Sequence, residues 1–140
     1  MSWGDDLVTL MDDAGVGTLN VDLFKSTKSS VPIVIGSGAV VTIIETSGSG
    51  PERTQNSVIR PGYIRPSAMI TARAHAYPVA QAKAQDAYDA VVFVRNSWVV
   101  SFVSSGWYRE INPLQEPFDM GLDSRGQARC GFNVTAVKRP

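Results

Sequence analysis

The sequence predicts an α+β domain in which two helices pack on one face of a mostly antiparallel sheet of four to five strands. Two observations support this class. Two segments carry apolar side chains at helical spacing, and several others alternate apolar and polar residues. The elements follow the order helix, strands, helix, strands, which favours antiparallel pairing with both helices on one side.

The first helix is predicted from Trp3 to about residue 14. Its apolar positions form one stripe, namely Trp3, Leu7, Leu10, Met11 and Ala14. Ser2 is suited to cap the helix, with Asp5 three residues later in an arrangement like a capping box. Gly15 and Gly17 are expected to end it.

The second helix is predicted over residues 78–94, because Pro78 suits a first helical turn. Its apolar stripe consists of Ala80, Ala84, Ala87, Tyr88, Val91 and Val92. The small residues in this stripe allow close approach to a sheet.

Five segments are predicted as strands: residues 39–46, 68–74, 98–103, 107–111 and 128–136. Leu19, Val21 and Leu23 alternate, but the polar stretch that follows makes residues 19–41 harder to assign, apart from the strand that begins at Ala39. Residues 123–126 form a turn before the last strand. Residues 47–66 are rich in Gly and Pro and predict a long loop, a type that is often functional.

Length and composition indicate a single domain over residues 1–140 with a formal net charge of zero. Thirteen basic residues balance thirteen acidic ones, so no overall basic field attracts nucleic acid. The single cysteine excludes an internal disulfide and fits a protein made in a reducing cytoplasm. The start of the chain lacks the basic residues of a signal peptide, and no apolar run approaches the ~20 residues of a membrane helix.

Few residues are candidates for chemistry. His75 is the only histidine, so a zinc-binding pair is not expected, and neither a metal nor a cofactor is predicted. An enzyme could use His75 as a base with Ser67 or Cys130 as nucleophile, but their spacing does not support this. Cys130 lies on the apolar side of the last strand, where a buried thiol usually behaves as a small hydrophobic group. We therefore predict no enzymatic activity and keep a small cytosolic enzyme as an alternative.

Four arginines lie in or beside the predicted long loop: Arg53, Arg60, Arg65 and Arg73. Tyr63 lies among them. Arginine with an aromatic residue is found where proteins bind nucleic acid, and equally at contacts between subunits. The zero net charge lowers the expectation of a nucleic-acid-binding module.

Four short motifs follow one another along the second half of the chain: Tyr63-Ile-Arg-Pro-Ser67, Ile70-Thr-Ala-Arg-Ala74, Tyr77 with Ala80, Lys83, Ala84 and Tyr88-Asp-Ala90, and Pro117, Gly121-Leu-Asp123, Gly126 and Phe132-Asn-Val134. In this order and spacing they resemble the tail terminator and minor capsid (neck) proteins of long-tailed bacteriophages. The resemblance covers about half of the chain, residues 63–137, together with the first helix. Gln127 stands where the family pattern has arginine, and residues 25–47 match less well.

The resemblance implies a structural virion protein, made in the host cytoplasm, that forms a hexameric ring at the head-proximal end of the tail tube. Such a ring stops tube polymerisation and joins the tail to the head connector, while DNA passes through its lumen without sequence-specific binding. The implied partners are further copies of the chain, the tail tube protein and the connector protein, with no membrane. Another neck or tail-completion protein is the alternative. We expect contacts at Arg53, Arg60, Tyr63 and Arg65, and then at Glu116, Phe118 and Asp119.

Overall fold

The computed structural model describes residues 3–18, 22–25, 38–49, 65–96, 108–122 and 126–138. These residues form two helices, α1 (Trp3–Asp13) and α2 (Tyr77–Asn96). They also form six strands: β1 (Leu23–Lys25), β2 (Ala39–Ser49), β3 (Arg65–Ala74), β4 (Tyr108–Pro113), β5 (Phe118–Leu122) and β6 (Ala128–Lys138). Neither described helix is long and apolar enough to cross a membrane.

The six strands form one sheet in the order β1-β2-β3-β6-β4, and β5 pairs with the same side of β6 as β4 does. All pairs are antiparallel except β1 with β2, which is parallel. The predicted α+β class with a mostly antiparallel sheet is therefore confirmed. The described residues form a mixed sheet of six strands, whereas four to five antiparallel strands were expected; the sequence did not predict β5 or β1, which supplies the parallel pair.

Both helices pack on the same face of this sheet, as predicted. Alternate residues of β3 and β6 meet across the ladder on that face, for example Ile70 opposite Phe132. The alanines of the α2 stripe, Ala80, Ala84 and Ala87, are fully buried there, and the Tyr88 and Phe132 rings make an edge-to-face contact with centroids 5.5 Å apart. These alanines let α2 approach the sheet closely and form one core with α1.

The end of α1 is set by a glycine, as the sequence predicts. Gly15 has φ 78°, its N–H donates to Asp12 O at 3.0 Å, and the N–H of Val16 donates to Met11 O at 3.0 Å. This pair of bonds is the Schellman motif, and the buried Val16 and Met11 supply its usual apolar contact. At the other end, Glu45 Oε1 of β2 accepts a hydrogen bond from Gly4 N at 3.0 Å.

Several predicted boundaries differ from the structure. β2 continues through Ser49 and β3 begins at Arg65, so both ends of the predicted long loop belong to strands. The predicted strand over residues 98–103, the capping residue Ser2 and turn residues 123–125 lie outside the described residues. Gly126, the last residue of that predicted turn, has φ 78°, a backbone conformation that favours glycine.

Candidate subunit interface

The predicted contact residues divide into three groups in the structure. Arg53, Arg60 and Tyr63 lie outside the described residues. Arg65 is exposed at the first position of β3. Glu116, Phe118 and Asp119 are exposed along the outer side of β6, where the chain passes from β4 into β5.

β4 and β5 together form one interrupted strand along β6. Pro113 of β4 lies opposite Val134, and Phe118 of β5 lies opposite Gly131. Between them Leu114 N donates to Asn133 O at 2.8 Å, and Gln115 Oε1 accepts from Asn133 N at 3.3 Å. The Gln115 side chain thus takes the place of a backbone acceptor. It holds the residues between β4 and β5 against β6, although the backbone ladder is interrupted there.

β5 contains a bulge that is stabilised from both sides. The pairing with β6 shifts between Asp119 and Gly121, and Gly121 has φ 77°. Asp119 Oδ1 accepts from Gly121 N at 2.8 Å, and Arg129 Nη2 donates to Met120 O at 3.1 Å. A side-chain carboxylate and a guanidinium therefore fix the shape of this edge.

Met120 extends from the bulge over Gly131 and reaches β3. Its sulfur lies 3.9 Å from the Thr71 hydroxyl, and a Cβ at Gly131 would lie 2.9 Å from that sulfur. Gly131 leaves room for this crossing because it has no side chain. The position of β5 on the sheet depends on that space.

The same edge exposes large apolar side chains. Leu114 is 60% exposed, Phe118 40% and Leu122 67%; we call these three residues the edge row. Phe118 lies opposite Gly131 on the sheet face away from the helices, and Leu122 lies opposite Ala128 on the helix face, so the edge row extends over both faces of this edge. The sequence predicted a contact at Phe118 but not at Leu114 or Leu122, which lie four residues before and after it; no strand periodicity indicated them.

The residues considered for catalysis do not come together. Ser67 and Cys130 project from opposite faces of the sheet, because Ser67 lies opposite Thr135 whereas Cys130 lies opposite Ala72 on the helix face. Burial raises the pKa of the Cys130 thiol, and the nearby Asp119 charge raises it further. His75 is exposed beyond the end of β3. No group of three metal-ligating side chains occurs among the described residues.

Lys83, one of the residues on which the phage-family resemblance rests, ties α2 to the segment after α1. Its ammonium donates to Val16 O and to Asp22 Oδ2, the latter at 3.3 Å. Asp22 Oδ1 also accepts from Thr18 N at 2.6 Å. Burial raises the pKa of Asp22, but the Thr18 hydrogen bond and the Lys83 charge outweigh it, so the pKa lies below its ordinary value.

Comparison with known proteins identifies a structure with this fold. No protein-family model and no curated protein matches the sequence. A chain in the solved structure of the virion of a native gene transfer agent (GTA) particle is similar, with a TM-score of 0.54 and 17% sequence identity. The match covers 96% of this chain and 84% of that chain. At this identity the comparison shows a shared fold over nearly the whole chain.

Proposed function

We propose that this chain is a structural virion protein that forms a closed ring at the head-proximal end of a phage tail tube. The observation that carries the proposal is the fold shared with a chain of a GTA virion over 96% of the present chain. The sequence motifs independently resemble phage tail terminator and neck proteins. The ring is hexameric, ends tube growth and joins the tail to the head connector, and DNA passes through it without sequence-specific contacts.

The placement of the motif residues supports this proposal. Ala80, Ala84 and Phe132 lie in the core between α2 and the sheet, and Lys83 ties α2 to the end of the α1 segment. The motifs thus describe a packing arrangement, as expected of a protein whose role depends on shape. The separation of Ser67 from Cys130 likewise favours a structural role over the enzymatic alternative.

A tube-growth assay tests the proposal. Purified tail tube protein is polymerised with increasing amounts of this chain, and tube lengths are measured by electron microscopy. We expect growth to stop once the head-proximal end of each tube carries one ring. Tubes that grow to the same length at every concentration, with bare ends, would refute the terminator role.

The same assay distinguishes the terminator role from the alternative role that the family resemblance left open. A neck or tail-completion protein of the same particle would bind to finished tails or to the connector without limiting tube length. Binding of that kind, with unaltered growth, would assign the chain to that second role.

A further inference from the structure

The outer edge of the sheet along β4 and β5 is exposed to solvent. Four of the five residues of β5 are exposed and Met120 is half-buried, and Leu114, Gln115 and Glu116 before the strand are exposed as well. An exposed edge presents backbone groups to which a strand of a second molecule can bind. The apolar side chains of the edge row increase that hazard, because apolar edges promote association between sheets.

Pro113 removes a backbone donor from this edge. Leu114 N donates to Asn133 O of β6 at 2.8 Å. Successive backbone N–H groups of a strand point to opposite sides, so the nitrogen of Pro113 points away from β6. That nitrogen carries no hydrogen and cannot donate to an added strand. Pro117, between β4 and β5, lacks an N–H as well.

The backbone of β5 is partly occupied by its own side chains. Gly121 N donates to Asp119 Oδ1 at 2.8 Å, and Gly121 has φ 77°, far from the extended conformation of a strand. The pairing with β6 shifts between these two residues. An added strand would therefore meet an N–H group that already has an acceptor, in a backbone that is bent by a bulge.

Arg129 of β6 occupies two acceptors of the same strand. Its Nη2 donates to Met120 O at 3.1 Å and to Leu122 O at 3.4 Å. The guanidinium is always charged, and hydrogen bonds from charged donors are stronger than those between neutral backbone groups. A strand that paired with β5 would have to compete with Arg129 for both carbonyl oxygens.

We propose that the edge formed by β4 and β5 is locked against the addition of a strand by a second copy of this chain. The edge lock consists of Pro113, Pro117, Asp119, Gly121 and Arg129. This inference goes beyond the structural virion role and does not depend on the ring. Its consequence is that any contact between copies at this edge uses side chains, and the outward amides of the edge stay open to solvent.

An open-edge variant tests the lock. Pro113→Thr and Pro117→Thr restore two backbone donors, and Asp119→Thr removes the carboxylate that holds the N–H of Gly121. The two restored donors should lower the concentration at which the protein self-associates, measured by light scattering, by about tenfold or more. Amide hydrogen exchange over residues 113–122, measured by mass spectrometry, should slow in the variant as its concentration rises, because an added strand protects the amides it pairs with.

The matched control makes the same exchanges on α2, where no sheet edge is altered. Pro78→Thr with Asp86→Thr, at two exposed positions of that helix, should leave self-association and exchange over residues 113–122 as in the wild type. Circular dichroism shows whether each variant is folded. If the triple variant does not fold, Pro113→Thr alone tests the lock, because the nitrogen of this residue points away from β6.

The outcomes distinguish the lock from the proposed function. Stronger association with slowed exchange in the open-edge variant, and not in the control, supports the lock. A folded open-edge variant that behaves like the wild type overturns it. The lock is also wrong if the wild type gains the same protection over residues 113–122 when concentrated, since its edge would then accept a strand. A wild-type protein that stays monomeric at tube ends, beside a variant that associates through this edge, would support the lock and contradict the ring.

Discussion

Gly131→Ala is expected to destabilise the fold because Gly131 lies where two strands and Met120 meet. A Cβ at this position would lie 2.5 Å from Ile70 O, 2.9 Å from Met120 Sδ and 3.2 Å from Thr71 Cα. Carbon–oxygen contacts between neighbouring strands are normally about 3.3–3.6 Å. The methyl group is thus too close to the backbone of β3 by roughly 0.8 Å, and rotation of a side chain cannot relieve that contact.

The expected cost follows from this geometry. Overpacking of a sheet interior costs about 1–3 kcal/mol, and the replacement of glycine returns about 0.4–1 kcal/mol by restricting the unfolded chain. We expect a net loss of about 1–2 kcal/mol in the free energy of unfolding, measured by urea denaturation. Met120→Ala in the same background should recover only part of this loss, because it leaves the clash with Ile70 O.

Gly38→Ala is the matched control. Gly38 is exposed, and a Cβ there would meet no atom within 4 Å, so stability should be unchanged or slightly raised. If Gly131→Ala is as stable as Gly38→Ala, within about 0.5 kcal/mol, the close approach of β3 and β6 at Gly131 is not as described. The positions of Met120 and β5 would then need revision.

Three further outcomes are expected from other parts of the structure. Lys83→Met should lower the free energy of unfolding, measured by urea denaturation, by about 1–2 kcal/mol, because Val16 O and Asp22 lose their charged donor. Lys25→Met removes a more exposed ion pair, with Asp5, and should lower it less. Since folding lowers the pKa of Asp22, its contribution to stability is present above the ordinary value of 3.8 and is lost as pH falls below it; Asp22→Asn should flatten that loss in acid denaturation curves. Burial of Cys130 should make its reaction with a thiol reagent follow unfolding, and rapid labelling of the native protein would contradict its place in the core.

Much of the fold was predictable because its strongest elements carry local signals. The apolar stripe of α1 and the glycine that ends it are readable from spacing alone, and so is the alternation in β6. The small stripe of α2 predicted close packing on the sheet, and the structure confirms that packing.

The missed strands lack such signals. β1 has three residues, and its parallel pairing with β2 depends on where the chain returns after residue 25, which no local pattern specifies. β5 has an exposed or half-buried side chain at every position and is broken by a bulge, so it shows no alternation. Its place in the sheet depends on long-range contacts with β6, including the space above Gly131.

The candidate interface was only partly predictable for the same reason. Phe118, Glu116 and Asp119 were identified near the last hairpin, but their alignment with Leu114 and Leu122 along one edge required the pairing with β6. The distance of Arg65 from this edge likewise follows from strand register and not from sequence separation. Arg53, Arg60 and Tyr63 remain predictions.

The mass of the assembled protein tests the central claim most directly. Light scattering on the purified chain, alone and with tail tube ends, should give a particle of about six times the 15.1 kDa of one chain, free in solution or bound at the tube ends. Electron microscopy should show that particle as a ring. A species that remains at the mass of one chain in both conditions, with no density at tube ends, would contradict the account.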